Sequence, residues 1–370
     1  MKKSLLSLTI CVLPLFCTEY LTNKSCNECH PDIYEEYQHS WHSKTWFNDK
    51  LHRKVANKIP VYDCARCHMP AAKNKEQMAE GKVWPNASDK RETDAISCFY
   101  CHQIAYVKKA HKFDQITLAR QAEGYKPSLY GSLENPDEND KHASVKSPIY
   151  DKYACMGCHA HKRNNQGVLI FQAMRDDQTS ESCIKCHMPK TPGPAEKMNK
   201  RAREHHHSHD FAGIHDSHMR SKGLDMAVET AKDEIRVTLT NKMGHPLIIQ
   251  PARLKYLELK IIRDGKVIWR NFEKSPKEDA QGAFYIDFAD KKGNLVPIPY
   301  FAEKILKSNN LDEKESRTLR YKVPSLRKDD KIVATMYVIL AKPACASAAG
   351  VRDRELTEPL LMKRVEKIVQ

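Results

Sequence analysis

The sequence predicts a mostly helical and irregular N-terminal domain built around bound groups, followed by a C-terminal all-β, sandwich-like domain. Three observations carry this. The pattern Cys-x-x-Cys-His occurs five times, all within residues 26–187. The chain around those copies is polar, rich in His and poor in aliphatic runs. Beyond about residue 222, apolar and polar residues alternate with the period of half-buried strands.

The five copies are Cys26-Asn-Glu-Cys29-His30, Cys64-Ala-Arg-Cys67-His68, Cys98-Phe-Tyr-Cys101-His102, Cys155-Met-Gly-Cys158-His159 and Cys183-Ile-Lys-Cys186-His187. This is the attachment pattern of a c-type haem. Two thiols add across the porphyrin vinyls, and the adjacent His takes one axial position on the iron. Chance supplies about 0.02 copies in a chain of this composition. A zinc ribbon needs two Cys pairs about 15–20 residues apart and no His after each second Cys. A thioredoxin-like dithiol needs one pair beside a βαβ pattern. A disulfide scaffold suits a shorter chain with more Cys. The reading is therefore five covalently attached haem c groups, with His30, His68, His102, His159 and His187 as proximal iron ligands.

Taken in order, residues 1–20 read as a signal peptide, with Lys2 and Lys3 ahead of an apolar run over 5–16. That run is too short to span a bilayer, and Pro14 interrupts it. Phe16 is too bulky for the position before a lipidated Cys, so lipoprotein anchoring through Cys17 is not expected. The mature chain is expected in the periplasm, with no transmembrane span. Residues 21–222 form the pentahaem domain. Helices are predicted over 31–42, opened by Pro31, and over 73–82. About forty residues per haem cannot build an independent apolar core, so the porphyrins must serve as the core. Met188-Pro189 and Thr191-Pro192-Gly193-Pro194 end the last haem segment, and a basic, His-rich stretch follows over 197–220. Residues 223–370 form the β-domain. Ile235, Val237 and Leu239 alternate with polar residues, as do Leu257, Leu259 and Ile261. Asp264-Gly265 offers a hairpin turn before Val267. Further strands are predicted over 283–288, 319–323 and 332–340, about seven in all, with 356–369 left open between strand and helix.

The formal net charge is +14. Five haems bring about ten propionates, which absorb much of that excess. The charge is scattered and no nucleic-acid motif is present, so nucleic acid is not an expected partner.

The second axial ligand decides between an electron relay and a catalyst. Thirteen histidines lie outside the motifs. His42, at the end of the first predicted helix, and His209 lead the distal candidates. His142 and His161, close to the fourth motif, come next. His111, His215, His218 and His245 follow. The tract His205-His206-His207 with His209 could instead take a divalent metal. Met69 and Met188 follow proximal histidines too closely to reach the same iron. The surplus of His favours bis-His ligation over Met ligands such as Met219, and hence low potentials.

The first motif followed by Tyr37, Ser40 and His42 resembles the multihaem cytochromes of the cytochrome c-554 kind, related to pentahaem nitrite reductases and hydroxylamine oxidoreductases. The segments Ser208-His209-Asp-Phe211-Ala-Gly213, Asn241-Lys-Met-Gly244-His245-Pro246 and Asp264-Gly265-Lys266-Val267 resemble exported multihaem cytochromes carrying a C-terminal β-domain. The resemblance implies distal roles for His42 and His209, and leaves His245 open between ligand and structural residue. The chain departs from the nitrite reductases, which usually attach the active haem through Cys-x-x-Cys-Lys and lack a β-domain. No Tyr can be assigned to the haem crosslink of the hydroxylamine enzymes.

Two functions remain. The first is electron transfer along mostly bis-His haems between redox protein partners, a membrane quinol-oxidising dehydrogenase and a terminal acceptor or reductase. The alternative is a terminal oxidoreductase acting on a small nitrogen or sulfur oxyanion at one five-coordinate haem. Enzymatic activity and oligomeric state stay open at this stage.

Overall fold

The computed structural model describes residues 20–44, 46–59, 63–120, 125–137, 139–174, 182–194 and 202–370. The leader and Cys17 lie outside the described residues.

The N-terminal half is a string of one- and two-turn helices joined by irregular chain. Thr22 caps the helix Asn23–Asn27, its side chain accepting from the Ser25 amide. Pro31 opens the helix Pro31–His39. That helix stops three residues short of the predicted end. Ser40 turns extended, and its Oγ donates to the Tyr37 carbonyl at 2.6 Å, taking an acceptor that the helix would otherwise share. The predicted helix over 73–82 is the shorter Lys75–Ala79. Tyr37 is buried, and its hydroxyl donates to the Asp94 carbonyl at 2.8 Å while accepting from Asn23 at 3.1 Å.

This half also contains four small ribbons that the sequence pattern does not reveal. Ile104–Lys108 pairs with Gln115–Leu118, His161–Arg163 with Leu169–Gln172, and Lys190–Pro192 with His205–His207, all antiparallel. Ser128–Gly131 runs parallel to Ala143–Lys146.

At Gly223 the helix Ser217–Lys222 gives way to the strand Leu224–Ala231. Two antiparallel sheets then face each other. Ser316–Lys322, Glu234–Asn241 and Leu224–Ala231 form a three-stranded sheet. The seven-stranded sheet centres on Leu254–Arg263, which pairs with Lys331–Ile339, and Leu360–Ile368 completes one edge. Ten strands stand where about seven were predicted. The 356–369 segment is mostly strand, preceded by the short helix Arg354–Thr357. Asp264 and Gly265 both have positive φ, 49° and 76°, the geometry of a two-residue hairpin turn. Leu239, Ile235 and Val237 from one sheet meet Leu257, Leu259, Ile261 and Met336 from the other in one continuous core.

The two halves are fastened together. Asn164 is buried, and its Nδ2 donates to the carbonyls of Pro299, Tyr300 and Ala302 at 3.1, 3.3 and 2.7 Å. Leu51 and Val55 from the N-terminal half join the core of the β-domain.

Candidate haem sites

Helical spacing explains the motif. Residues i, i+3 and i+4 share one helix face, so both Cys and the His of each copy can address one porphyrin. The helices Asn23–Asn27, Ala65–His68, Cys98–Cys101, Tyr153–His159 and Cys183–His187 carry or begin the five copies. None of the ten motif cysteines is joined in a disulfide.

An iron held between two imidazoles fixes their separation. With metal–nitrogen bonds of about 2.0–2.1 Å, ring centroids stand about 6.3 Å apart. His30 and His142 stand at 6.3 Å with planes 28° apart. His102 and His209 stand at 6.2 Å and 27°, and His42 and His159 at 6.1 Å and 42°. These three pairs have the spacing that haem iron requires. A fourth pair, His52 and His68, is closer at 4.9 Å and has to open by about 1.4 Å to admit a metal.

The outer ring nitrogens are engaged as metal-binding histidines require. His102 Nδ1 faces the Tyr130 carbonyl at 2.6 Å and His187 Nδ1 the Ala212 carbonyl at 2.7 Å. On the opposite side, His209 Nδ1 meets the His207 carbonyl at 2.8 Å, His142 Nδ1 the Ser144 hydroxyl at 3.1 Å, and His52 Nδ1 the Asp49 carboxylate at 2.6 Å. This leaves Nε2 as the nitrogen available to a metal; on His52 that nitrogen meets the Gln250 amide at 3.3 Å. Burial pushes His42, His68 and His209 down to about 3, and His142 to about 4. The rings are therefore neutral, the form that binds metal.

Phe211 sits between two of the pairs, its ring 4.3 Å from that of His42 and 5.7 Å from that of His209. Its φ is +46°, a strained value for a bulky residue. Glu36 ties the same segment to the helix Pro31–His39, accepting from the His209 amide at 2.8 Å.

Residues 25–103 match the family model described as cytochrome c554 and c-prime. Over that stretch the chain is similar to this multihaem family. The whole fold is similar to the crystal structure of a penta-heme cytochrome c552 from Thermochromatium tepidum, at 23% identity and a TM-score of 0.73, covering 94% of this chain and 99% of that one. Superoxide reductases from Nanoarchaeum equitans and Archaeoglobus fulgidus match 32% of this chain and 83% and 80% of theirs, at 14% and 12% identity and TM-scores of 0.15 and 0.14. No curated protein matches the chain. The chain is a multihaem c-type cytochrome, a class whose work is electron transfer and whose members are generally extracytoplasmic. No helix among the described residues is long and apolar enough to cross a membrane.

Other candidates of this cytochrome lie apart from the motif rings. His161 Nε2 meets the carbonyls of Ala110 and His111 at 3.0 and 3.2 Å, so the nitrogen that would bind iron is occupied. His161 follows the fourth motif in sequence, but its ribbon carries it sideways. His111 and His218 are exposed. His215 stacks on Trp41 at 3.8 Å. His206 spends both nitrogens on the Gly193 carbonyl and Glu36, and no group of metal-binding side chains forms among the described residues. His52 is the residue that sequence reasoning missed. Its signal was Asp49 three residues earlier, which accepts from the Leu51 and His52 amides through one oxygen and holds the imidazole with the other.

His187 has no ring partner of this kind among the described residues. From the β-domain, His245 lies close enough for the charge of His187 to act on it, and its Nδ1 meets the Pro246 carbonyl at 2.9 Å. Beside His245 lie buried Lys255 and half-buried Arg253. Desolvation brings Lys255 down to about 7, with Arg253 adding to it, and brings Arg253 itself to about 10. No carboxylate contributes to either shift. Lys255 Nζ donates to the Leu247 carbonyl at 2.7 Å.

Proposed function

We infer that the protein is an exported, periplasmic pentahaem cytochrome that relays electrons between a quinol-oxidising membrane partner and a terminal acceptor or reductase. Each motif attaches one haem. His142 completes the first site, His52 the second, His209 the third, His42 the fourth and His245 the fifth. Bound haem supplies one-electron chemistry; the chain supplies attachment, axial imidazoles, spacing and shielding. The observation that carries this reading is the near-6.3 Å spacing of three motif histidines and their partners, which closes those irons to substrate.

Contacts between motifs support a continuous path. The sulfurs of Cys26 and Cys98, of Cys67 and Cys158, and of Cys155 and Cys183 lie close enough to interact in pairs. Cys101 lies close enough to Cys155 and Cys158 for their charges to interact. The first site therefore adjoins the third, and the second, third and fifth all adjoin the fourth. Lys255 and Arg253 are placed to meet the propionates of the fifth haem.

One observation favours a second reading. Among the described residues His187 lacks a stacked imidazole, and His245, on which its charge acts, also feels Lys255 and Arg253. An open fifth iron beside them would bind a small oxyanion. Electron paramagnetic resonance of the ferric protein separates the two. The relay reading expects only low-spin signals, unchanged by nitrite or sulfite. A high-spin signal that shifts on adding either anion overturns it in favour of the oxidoreductase.

A further inference from the structure

We propose that the β-domain keeps the sixth axial position of the second haem closed by clamping the helix that carries His52; this rests on the assignment of His52 to that site made above.

The helix His52–Ala56 belongs to the haem half by sequence but largely to the β-domain by packing. Leu51, just ahead of it, is 7% exposed and buried in the β-domain core, and Val55 packs on the same core. Lys50 Nζ reaches Asp353 and Glu355, each at 3.3 Å. Lys54 Nζ donates to the Gly350 carbonyl at 3.0 Å. The ring itself is gripped from both sides. Asp49 fixes the proton on Nδ1, so Nε2 holds the lone pair. The Gln250 amide, from the loop ahead of the strand Leu254–Arg263, approaches that lone pair at 3.3 Å and would yield it to the iron. Ala56 alone of the helix joins the small core beside the second motif, with Trp46, Ala65 and Met69.

A five-residue helix has no stability of its own, so His52 stands where its packing partners hold it. The exposed lysine pairs contribute little. Leu51 and Val55 are therefore the positioning residues. The distal rings of the first, third and fourth sites are held from within the haem half: His42 and His209 by Phe211, and His142 by Ser144. Loosening the β-domain should thus expose the second iron and spare the first, third and fourth.

The test uses the full chain with all haems attached and reads carbon monoxide binding to the reduced protein, together with the ferric spin state. Leu51→Ala and Val55→Ala, singly and combined, are expected to add one carbon monoxide-reactive haem relative to wild type and to remove one low-spin component. His52→Ala must give the same one-haem gain. Arg354→Ala, on the exposed face of the β-domain, must give none. If His52→Ala opens no haem, the ligand assignment fails. If His52→Ala opens one while the Leu51 and Val55 variants stay closed with their strand dichroism intact, the clamp is refuted. Should Leu51→Ala misfold, Val55→Ala and the thermal melting of the His245→Ala protein, whose fifth site no longer depends on the β-domain, decide. The second site must become reactive as strand dichroism is lost, and a site that stays closed through that transition overturns the proposal.

Discussion

Asp49 offers a direct test of the second haem site. Its Oδ2 lies 2.6 Å from His52 Nδ1, and its side chain is only 13% exposed. Burial opposes its ionisation, but the hydrogen bond and charge of His52, the His52 amide and the charge of His68 prevail, bringing it down to about 2. At neutral pH the carboxylate is ionised. It draws the Nδ1 proton and makes Nε2 a stronger donor, which favours ferric over ferrous iron. Asp49→Asn keeps an oxygen to accept from the Leu51 and His52 amides but removes the charge. Losing such a partner weakens a metal–histidine bond by about 10–100-fold. Placed on the ferric state, that loss raises one potential by about 60–120 mV, at 59 mV per tenfold for one electron. Spectroelectrochemical titration of both proteins reads this. One Nernst component should move upward and the other four should hold. A fall, no movement, or a shift shared by all components refutes the reasoning.

Three further outcomes are expected. Phe211→Gly releases about 1–3 kcal/mol of backbone strain while removing the ring between His42 and His209. The paramagnetic signals of two haems should change and the rest should not; a change spread over all of them sinks the wedge. Asn164→Ala breaks three donations across the two halves and leaves the buried Ala302 carbonyl unpaired, at a cost of about 2–4 kcal/mol. Calorimetry should find a lower Tm, and an unchanged one would show the contact to be idle. Asp287 pairs with buried Lys342 at 2.8 Å and with Lys277. Although burial raises its pKa, the two lysines hold the carboxyl below its ordinary range. That stability is present above the unfolded pKa of about 3.9 and is lost as pH falls through the lower folded value. The Tm of Asp287→Asn should be lower than wild type at neutral pH and flatter below about pH 4; parallel curves would deny the pair its role.

The attachment triads were legible because covalent chemistry dictates both residue type and spacing. His42, His142 and His209 were among the candidates and stand opposite motif rings. Their pairing was not legible, because it joins residues far apart in the chain: His142 faces the first motif, not the neighbouring fourth. His161 shows the same thing, since its ribbon turns the ring toward the Ala110 carbonyl despite its nearness to His159 in sequence. His52 was hidden among thirteen spare histidines, its carboxylate partner being the cue.

The difference between the halves has one physical source. In the β-domain, strands such as Glu234–Asn241 alternate buried and less buried residues along their length, so the hydrophobic pattern and the fold state the same thing. In the haem half the apolar clusters are small: one is Trp46, Ala56, Ala65, Met69, Ala72 and Met78, another Tyr100, Ile104, Tyr150 and Ala154. Such clusters cannot offset the entropy of ordering the chain around them. The burial that does so must come from porphyrin, which leaves no periodicity in the sequence. Helices there are short because the thioether bonds and axial ligands, not an amphipathic face, hold them. On the proposed ligation the second site is where the two regimes meet: Leu51 answers to the β-domain core, and His52, one residue on, would answer to the iron.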